Sequence, residues 1–167
     1  SHGVADFYRN LGVPGRKLRV IHNGIEIPAT QVVQRQQLWE ELEIPAEARV
    51  VGFVGRLAPQ KRVRDLLWTV ELISNLQPQI HFIIIGDGPL RGQLERFARE
   101  TQNSDRIRFL GHQENPARYF SALEVFWLGS DFEGLSNSIM EVMAVVFPGV
   151  ASDIPPNREL VVPGETG

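Results

Sequence analysis

The sequence predicts an α/β fold in which a parallel β-sheet carries helices on both faces. Three observations point there. Short apolar runs rich in β-branched residues recur along the chain, helical periodicities lie between them, and the connections are short. Runs that are apolar throughout, rather than alternating, suit strands buried on both faces of a covered sheet.

The elements follow in order. The chain opens on an amphipathic stretch, "SHGVADFYRNLG", and "LRVI" at 18–21 has the composition of a first strand. The region from "IPAT" to "EIPAEA" (27–48) is expected to hold a surface helix from Val33 to Leu42. "VVGFV" at 50–54 is the next strand, and Val63, Leu66, Leu67, Val70 and Ile73 then repeat at helical spacing. "HFIII" at 81–85 precedes a second such stripe through Leu90, Leu94, Phe97 and Ala98. "IRFL" at 107–110 and "EVFWL" at 124–128 are strands, followed by a stripe through Leu135, Ile139, Val142 and Met143. "GVAS" at 149–152 is the last strand.

Composition limits the possible functions. The 167 residues suffice for one domain with its own core. A net charge of −3, from 17 basic and 20 acidic residues, provides no basic field for nucleic acid. A small anionic ligand needs only two or three local cations and stays open. Cysteine is absent, which removes disulfides and thiolate metal sites. The histidines His2, His22 and His81 show no metal-ligand spacing. Apolar runs such as "FIIIG" at 82–86 are far too short to span a bilayer, and no signal peptide is visible. The chain lacks an initiator Met and stops at "VVPGETG", so it reads as a piece of a longer protein.

In a sheet of this kind ligands bind beyond the carboxyl ends of the strands. After "VVGFV" come Gly55, which permits a tight exit, then Arg56, and Lys61 just before the next helix. Cations at a helix amino terminus suit phosphate, although solvated surface charges would look the same. After "HFIII", Gly86 and Gly88 would let backbone approach a ligand. Arg91 stands where the third glycine of a dinucleotide fingerprint belongs, which disfavours an NAD-dependent oxidoreductase; a plain strand-to-helix turn remains the other reading. His112 follows "IRFL" without a sequence partner and reads as a loop histidine. After "EVFWL" comes "EGLSNSIME", in which Glu141 and Asn137 fall on the polar side of the helix. Two readings stay open for it. Ser138-x-x-Glu141 fits a capping box, with Glu133 a solvated acid. Alternatively, each carboxylate accepts hydrogen bonds from vicinal hydroxyls, with free amides of 134–138 facing a phosphate between them.

Taken together, "VIHNGI" (20–25), "VGRLAPQKR", "IIIGDGPLR", "EGLSNSIMEVMA" and "NRELV" resemble, in order and over nearly the whole chain, the retaining glycosyltransferases of family 4. "VGRLAPQKR" looks like the family's V-G-R-L-x-x-x-K segment, and "EGLSNSIMEVMA" like its E-x7-E motif. The resemblance is to the carboxyl-terminal, donor-binding half of a GT-B fold, a Rossmann-like parallel sheet, with residues 1–167 as one nucleotide-sugar-binding domain. It implies that Arg56 and Lys61 bind the donor pyrophosphate and stabilise the leaving group, and that Glu133 holds the transferred sugar. Gly134, Leu135, Ser136 and Asn137 would offer backbone amides, Glu141 would bind ribose hydroxyls, and backbone near Gly86, Leu110 and Gly111 would line the base pocket. It implies no cofactor and no metal, an acceptor (glycan, lipid or small molecule) bound through an amino-terminal domain, and a cytoplasmic enzyme at the inner face of the membrane. A non-catalytic nucleotide-binding module is the alternative. The chain departs from the family pattern at Val146, at "PGV" (148–150) and at Pro155 and Pro156.

Overall fold

The computed structural model describes residues 1–26, 33–145 and 148–165. Strands β1 (Arg49–Val54), β2 (Ile80–Ile85), β3 (Ile107–Gly111), β4 (Val125–Leu128) and β5 (Gly149–Ala151) form one sheet. All pairings are parallel and the order is β3-β2-β1-β4-β5. The central strand β1 runs beside β2 from Arg49 opposite Ile80 to Val54 opposite Ile85, and meets β4 at Val51–Val125 and Gly52–Phe126. The chain winds outward from β1 to β3 and then returns to the far side of β1. The strand order therefore reverses between β1 and β4, which is where an open sheet of this type forms a crevice.

Right-handed crossovers place α3 (Val63–Leu76) and α4 (Arg91–Glu100) on one face. On the other lie α5 (Asn137–Ala144) and a 3-10 segment, Pro116–Ala122, against which α2 (Arg35–Glu41) packs. β2 is buried along its length after Ile80, and Val50, Leu57, Leu67, Ile83 and Leu128 are wholly inaccessible, so the sheet is covered on both faces as its apolar runs require.

The strands expected from residue 50 onward form within one or two residues of their predicted bounds. The strand expected at 18–21 does not form among the described residues. Its backbone is extended at Leu18 (φ −106, ψ 130), but the sheet edges β3 and β5 pair only inward. β-branched residues supply propensity; a strand also needs a partner, and none is offered. The helix expected over Val33–Leu42 is α2, a surface helix that exposes Gln36, Gln37, Glu40 and Glu41 and buries one side. Leu38 and Trp39 are buried, and Arg35 stacks on Trp39 at 4.2 Å while bonding Glu124 at 2.7 Å. Residues 27–32, Val146 and the last two residues of "GETG" lie outside the described part.

Two departures from the family pattern have clear local roles. Gly149 and Val150 begin β5 opposite Phe126 and Trp127. Pro155 and Pro156 begin the short helix α6 (Pro155–Arg158), where fixed φ suits a first turn. Helix α1 (His2–Asn10) docks on α6, with Gly3 so close that a Cβ there would lie 2.9 Å from Pro155 Cβ.

The core is tightly packed at Gly52 in β1, where an added Cβ would meet the Leu123 side chain at 2.4 Å. Gly52→Ala is expected to cost about 1–3 kcal/mol by overpacking, read from urea unfolding. Part of that loss should be recovered in Gly52→Ala/Leu123→Val, because Val lacks the clashing δ carbons. Strictly additive losses in the double variant would mean that this contact is not the cause.

Candidate functional site

The strand exits are knitted together by main chain before any side chain enters the site. Gly55 N donates to Ile85 O at 3.0 Å, Leu57 N to Asp87 O at 2.9 Å and Gly86 N to Gly111 O at 2.7 Å. Gly86 has φ +133, and a Cβ there would sit 1.9 Å from Gly55 O; one at Gly88 would sit 2.5 Å from Leu57 O. The absence of a Cβ at these two glycines thus makes room for neighbouring backbone.

Beyond these exits, at the reversal of strand order, lies a pocket of about 660 Å³, within the usual range for small-molecule sites. Its wall includes Gly55, Arg56, Lys61, Gly86, Glu133, Leu135, Ser136, Asn137 and Glu141. Segments following four different strands contribute, which explains why residues so distant in sequence converge.

Lys61 ends a 3-10 turn, Pro59–Lys61, and its Nζ lies 2.5 Å from Glu133 Oε1. Both side chains are largely buried, at 14% and 11% exposure. Ser130 Oγ donates to the same carboxylate oxygen at 2.6 Å. Glu133 is therefore no solvated loop acid. It is held by a cation and a hydroxyl at one oxygen, with the other unbonded among the described residues. Arg56 is exposed on the rim, and its guanidinium has no acidic partner among the described residues.

The start of α5 settles the capping question. Its N-cap is Ser136, whose Oγ accepts from Ile139 N at 3.4 Å, so the helix begins at Asn137, one residue before Ser138. The capping-box reading of Ser138 and Glu141 is thereby overturned, since the third helical position is Ile139 and Glu141 lies too far along to reach the cap. Glu141 instead lines the pocket, no protein group bonds its carboxylate among the described residues, and burial pushes its pKa above the ordinary carboxylate value.

Four expected residues do not line the pocket. Gly88, Leu110 and Gly111 stand behind its wall, and Gly134 sits in the open loop before α5. Leu110 O accepts from Gln113 Nε2 at 2.8 Å, and Gln113 Oε1 accepts from Tyr119 Oη at 3.1 Å. Gln113 thus takes the place expected for Leu110 backbone. Sequence reasoning gave no side-chain role in binding to Asn23, Asp87 or Pro116, considered Ser138 as a cap and for its backbone amide, and read His112 as a loop residue; all five line the pocket. For His112 the signal was present, since it directly follows a strand. Asn23 lies in the family-like segment "VIHNGI", but that segment is not part of the sheet, so no strand exit pointed to it as a site residue.

Two features lie outside this pocket. His2, His22 and Glu159 bring one potential ligand atom each within 4.8 Å of one another, a cluster that spacing could not reveal. There the Glu159 carboxylate accepts from His2 N (2.9 Å) and Gly3 N (2.8 Å), capping α1. An apolar groove of about 580 Å³ adjoins Glu133 and runs between Phe7, Tyr8, Phe132, Ile154, Pro155 and Pro156. No helix among the described residues is long and apolar enough to cross a membrane.

Comparison with known proteins agrees with this architecture. Residues 34–167 match the family described as Glycosyl transferases group 1. Over 165 residues the chain is 31% identical to the lipopolysaccharide core biosynthesis glycosyltransferase LpsE of Rhizobium meliloti (strain 1021), covering 99% of this chain and 46% of that protein. It is 30% identical to the UDP-Gal:alpha-D-GlcNAc-diphosphoundecaprenol alpha-1,3-galactosyltransferase of Escherichia coli, covering 92% of this chain and 41% of that one. The chain thus spans less than half the length of these relatives. The crystal structure of Anabaena Alr3699/HepE in complex with UDP-glucose superposes with a TM-score of 0.86 at 25% identity, over 97% of this chain and 46% of that one. With its Rossmann-like parallel sheet and its match over most of its length, the chain belongs to the group 1 glycosyltransferases, whose solved neighbours share the GT-B fold.

Proposed function

We propose that this pocket binds the nucleoside diphosphate sugar from which the full-length enzyme transfers a glycosyl group. The observation that carries the reading is the meeting of the Lys61–Glu133 pair with Arg56 and Glu141, neither of which has a protein partner among the described residues, around the amides at the start of α5. Support comes from the neighbour in complex with UDP-glucose and from the relative whose name specifies a UDP-Gal donor.

The roles follow from chemistry. Arg56, Lys61 and the amino end of α5 present positive charge and N–H donors to a diphosphate. Lys61 lies against Glu133, so it screens that carboxylate from the phosphates, while the unbonded oxygen of Glu133 accepts from a sugar hydroxyl. Glu141, with no protein partner among the described residues, accepts from the ribose hydroxyls. Transfer breaks the bond from the anomeric carbon to the phosphate oxygen, and the cations stabilise the charge that develops there. In the retaining course, the acceptor hydroxyl bonds to that carbon on the face the phosphate leaves, and its proton passes to the departing phosphate. The cationic groups present fit this role without a metal. The acceptor approaches past Glu133, on the side of the apolar groove, and is bound by the part of the enzyme that this chain does not span.

Arg56→Ala and Lys61→Ala should each weaken UDP binding by about 1–3 kcal/mol in calorimetric titration, while uridine should hardly respond. Equal losses for both ligands would show damage to the fold rather than a lost phosphate contact.

The two glutamates should separate by ligand and by stability. Glu133→Gln should leave UDP binding intact and weaken UDP-glucose. Glu141→Gln should weaken UDP, and its effect on 2′-deoxy-UDP should be smaller. The sign of the stability change follows from the raised pKa of Glu141. Its folded form holds the proton more tightly than the unfolded chain does. Stability therefore falls as pH rises from the ordinary carboxylate value through the raised one, and the penalty is full only above the raised value. Glu141→Gln should accordingly raise the Tm at pH 7 while lowering affinity, and the gain should vanish at pH values below the ordinary carboxylate pKa. A Tm at pH 7 below that of the wild type would refute the partnerless carboxylate.

A further inference from the structure

We infer that Asn23 is a positioning residue that sets which atom of the Asn137 amide the pocket presents to an anion, an inference that rests on the nucleotide reading above. Asn23 Nδ2 lies 3.0 Å from Asn137 Oδ1 and 3.5 Å from Leu135 O. A main-chain carbonyl can only accept, so the contact with Leu135 requires the nitrogen of Asn23, not its oxygen, to face α5. The Asn137 atom meeting that nitrogen must then be an acceptor, which assigns it as Oδ1. The orientation of one amide thus dictates that of the next.

The consequence lies in what is left over. Asn137 is the first residue of α5 and lines the pocket, and no group among the described residues accepts from its Nδ2. That nitrogen adds a side-chain N–H donor to the backbone amides of the helix start. The Ser136 hydroxyl is already engaged with Ile139 N and Ser138 Oγ. With the Asn137 amide reversed, its oxygen would face the phosphate and repel it. Asn23 therefore holds this side chain in its anion-accepting state.

The tie also explains why Asn23 reaches the site from outside the sheet. The segment before it makes no ladder, yet neighbouring His22 is anchored by Nε2 to Glu159 Oε2 at 3.1 Å. Two adjacent residues thus pin the segment at two points, one on α6's following turn and one on the start of α5. The position of Asn23 is consequently set in part by a contact, His22 to Glu159, that does not belong to the pocket.

The test uses Asn23→Leu, Asn23→Asp and Asn137→Ala, titrated with UDP and uridine. Asn23→Leu, similar in size and uncharged, should weaken UDP by about two- to tenfold, the range of one hydrogen bond, and leave uridine unchanged. In the Asn137→Ala background the same substitution should have no further effect. A loss shared by uridine, or persisting without Asn137, would overturn the inference in favour of a general structural role. A ligand-free arm keeps the two readings apart. In Asn23→Asp the new carboxylate must accept, so the Asn137 amide turns and its side-chain NH₂ resonances should shift in a ¹H–¹⁵N spectrum. Unmoved Asn137 resonances would sink the orientation argument. A clear shift in a wild-type protein that binds no UDP would instead refute the nucleotide reading and, with it, any role for Asn23 in binding.

Discussion

The molecule depends on main-chain bonds that continue beyond the ends of the strands. Gly55 N to Ile85 O and Gly86 N to Gly111 O hold the exits of β1, β2 and β3 side by side after the regular ladder stops. They require Gly86 at φ +133 with no side chain, because the carbonyl of Gly55 fills that space. Parallel strands leave in the same direction, so such lateral ties bring three loops to one level. The fourth exit, from β4, joins through Asp131 N, which donates to Gln60 O at 2.9 Å. The pocket wall is thus a continuation of the sheet's hydrogen bonding, and its side chains inherit their positions from it.

On that rigid base the charges are arranged unevenly. A chain of net charge −3 gathers Arg56 and Lys61 at a single crevice, and among the described residues only Lys61 has an acidic partner. The Lys61–Glu133 pair is shielded from water and supported by Ser130, so neither group is an uncompensated buried charge. Glu141 is the opposite case. Burial raises its pKa and no protein group bonds it among the described residues, so the folded protein carries a cost there that a hydroxyl-bearing ligand would offset. A buried ionisable group left without a protein partner in a pocket is a common signature of a binding site.

Much of the architecture was legible in the sequence, for reasons visible in particular residues. The runs at 50–54, 81–85 and 107–110 are apolar throughout because both faces of those strands are covered, and that pattern survives without knowledge of neighbours. The run at 18–21 has the same composition and forms no strand, because pairing depends on what lies beside a segment. Arg56, Lys61, Glu133 and Glu141 were legible as candidates because they stand in the segments between a strand and the first turns of the next helix, where an open α/β sheet receives ligands, and in motifs that resemble the family's. The start of α5 was not, since Ser136 and Ser138 are both competent caps and only the observed register chooses Ser136.

The sequence by itself determined the order of elements, their parallel pairing and the side of the sheet on which chemistry would sit. These follow from local periodicity and from the handedness of crossovers, which act over a few tens of residues at most. The tertiary structure decided what each polar atom does there. It gave the Cβ space of Gly86 to Gly55, placed Gln113 in front of Leu110, paired Lys61 with Glu133 and brought Asn23 to Asn137. Each of these joins residues from separate elements across ångström distances. A hydrogen bond is sensitive to a few tenths of an ångström and to angle, whereas sequence spacing specifies neither for residues that meet only when the sheet is assembled.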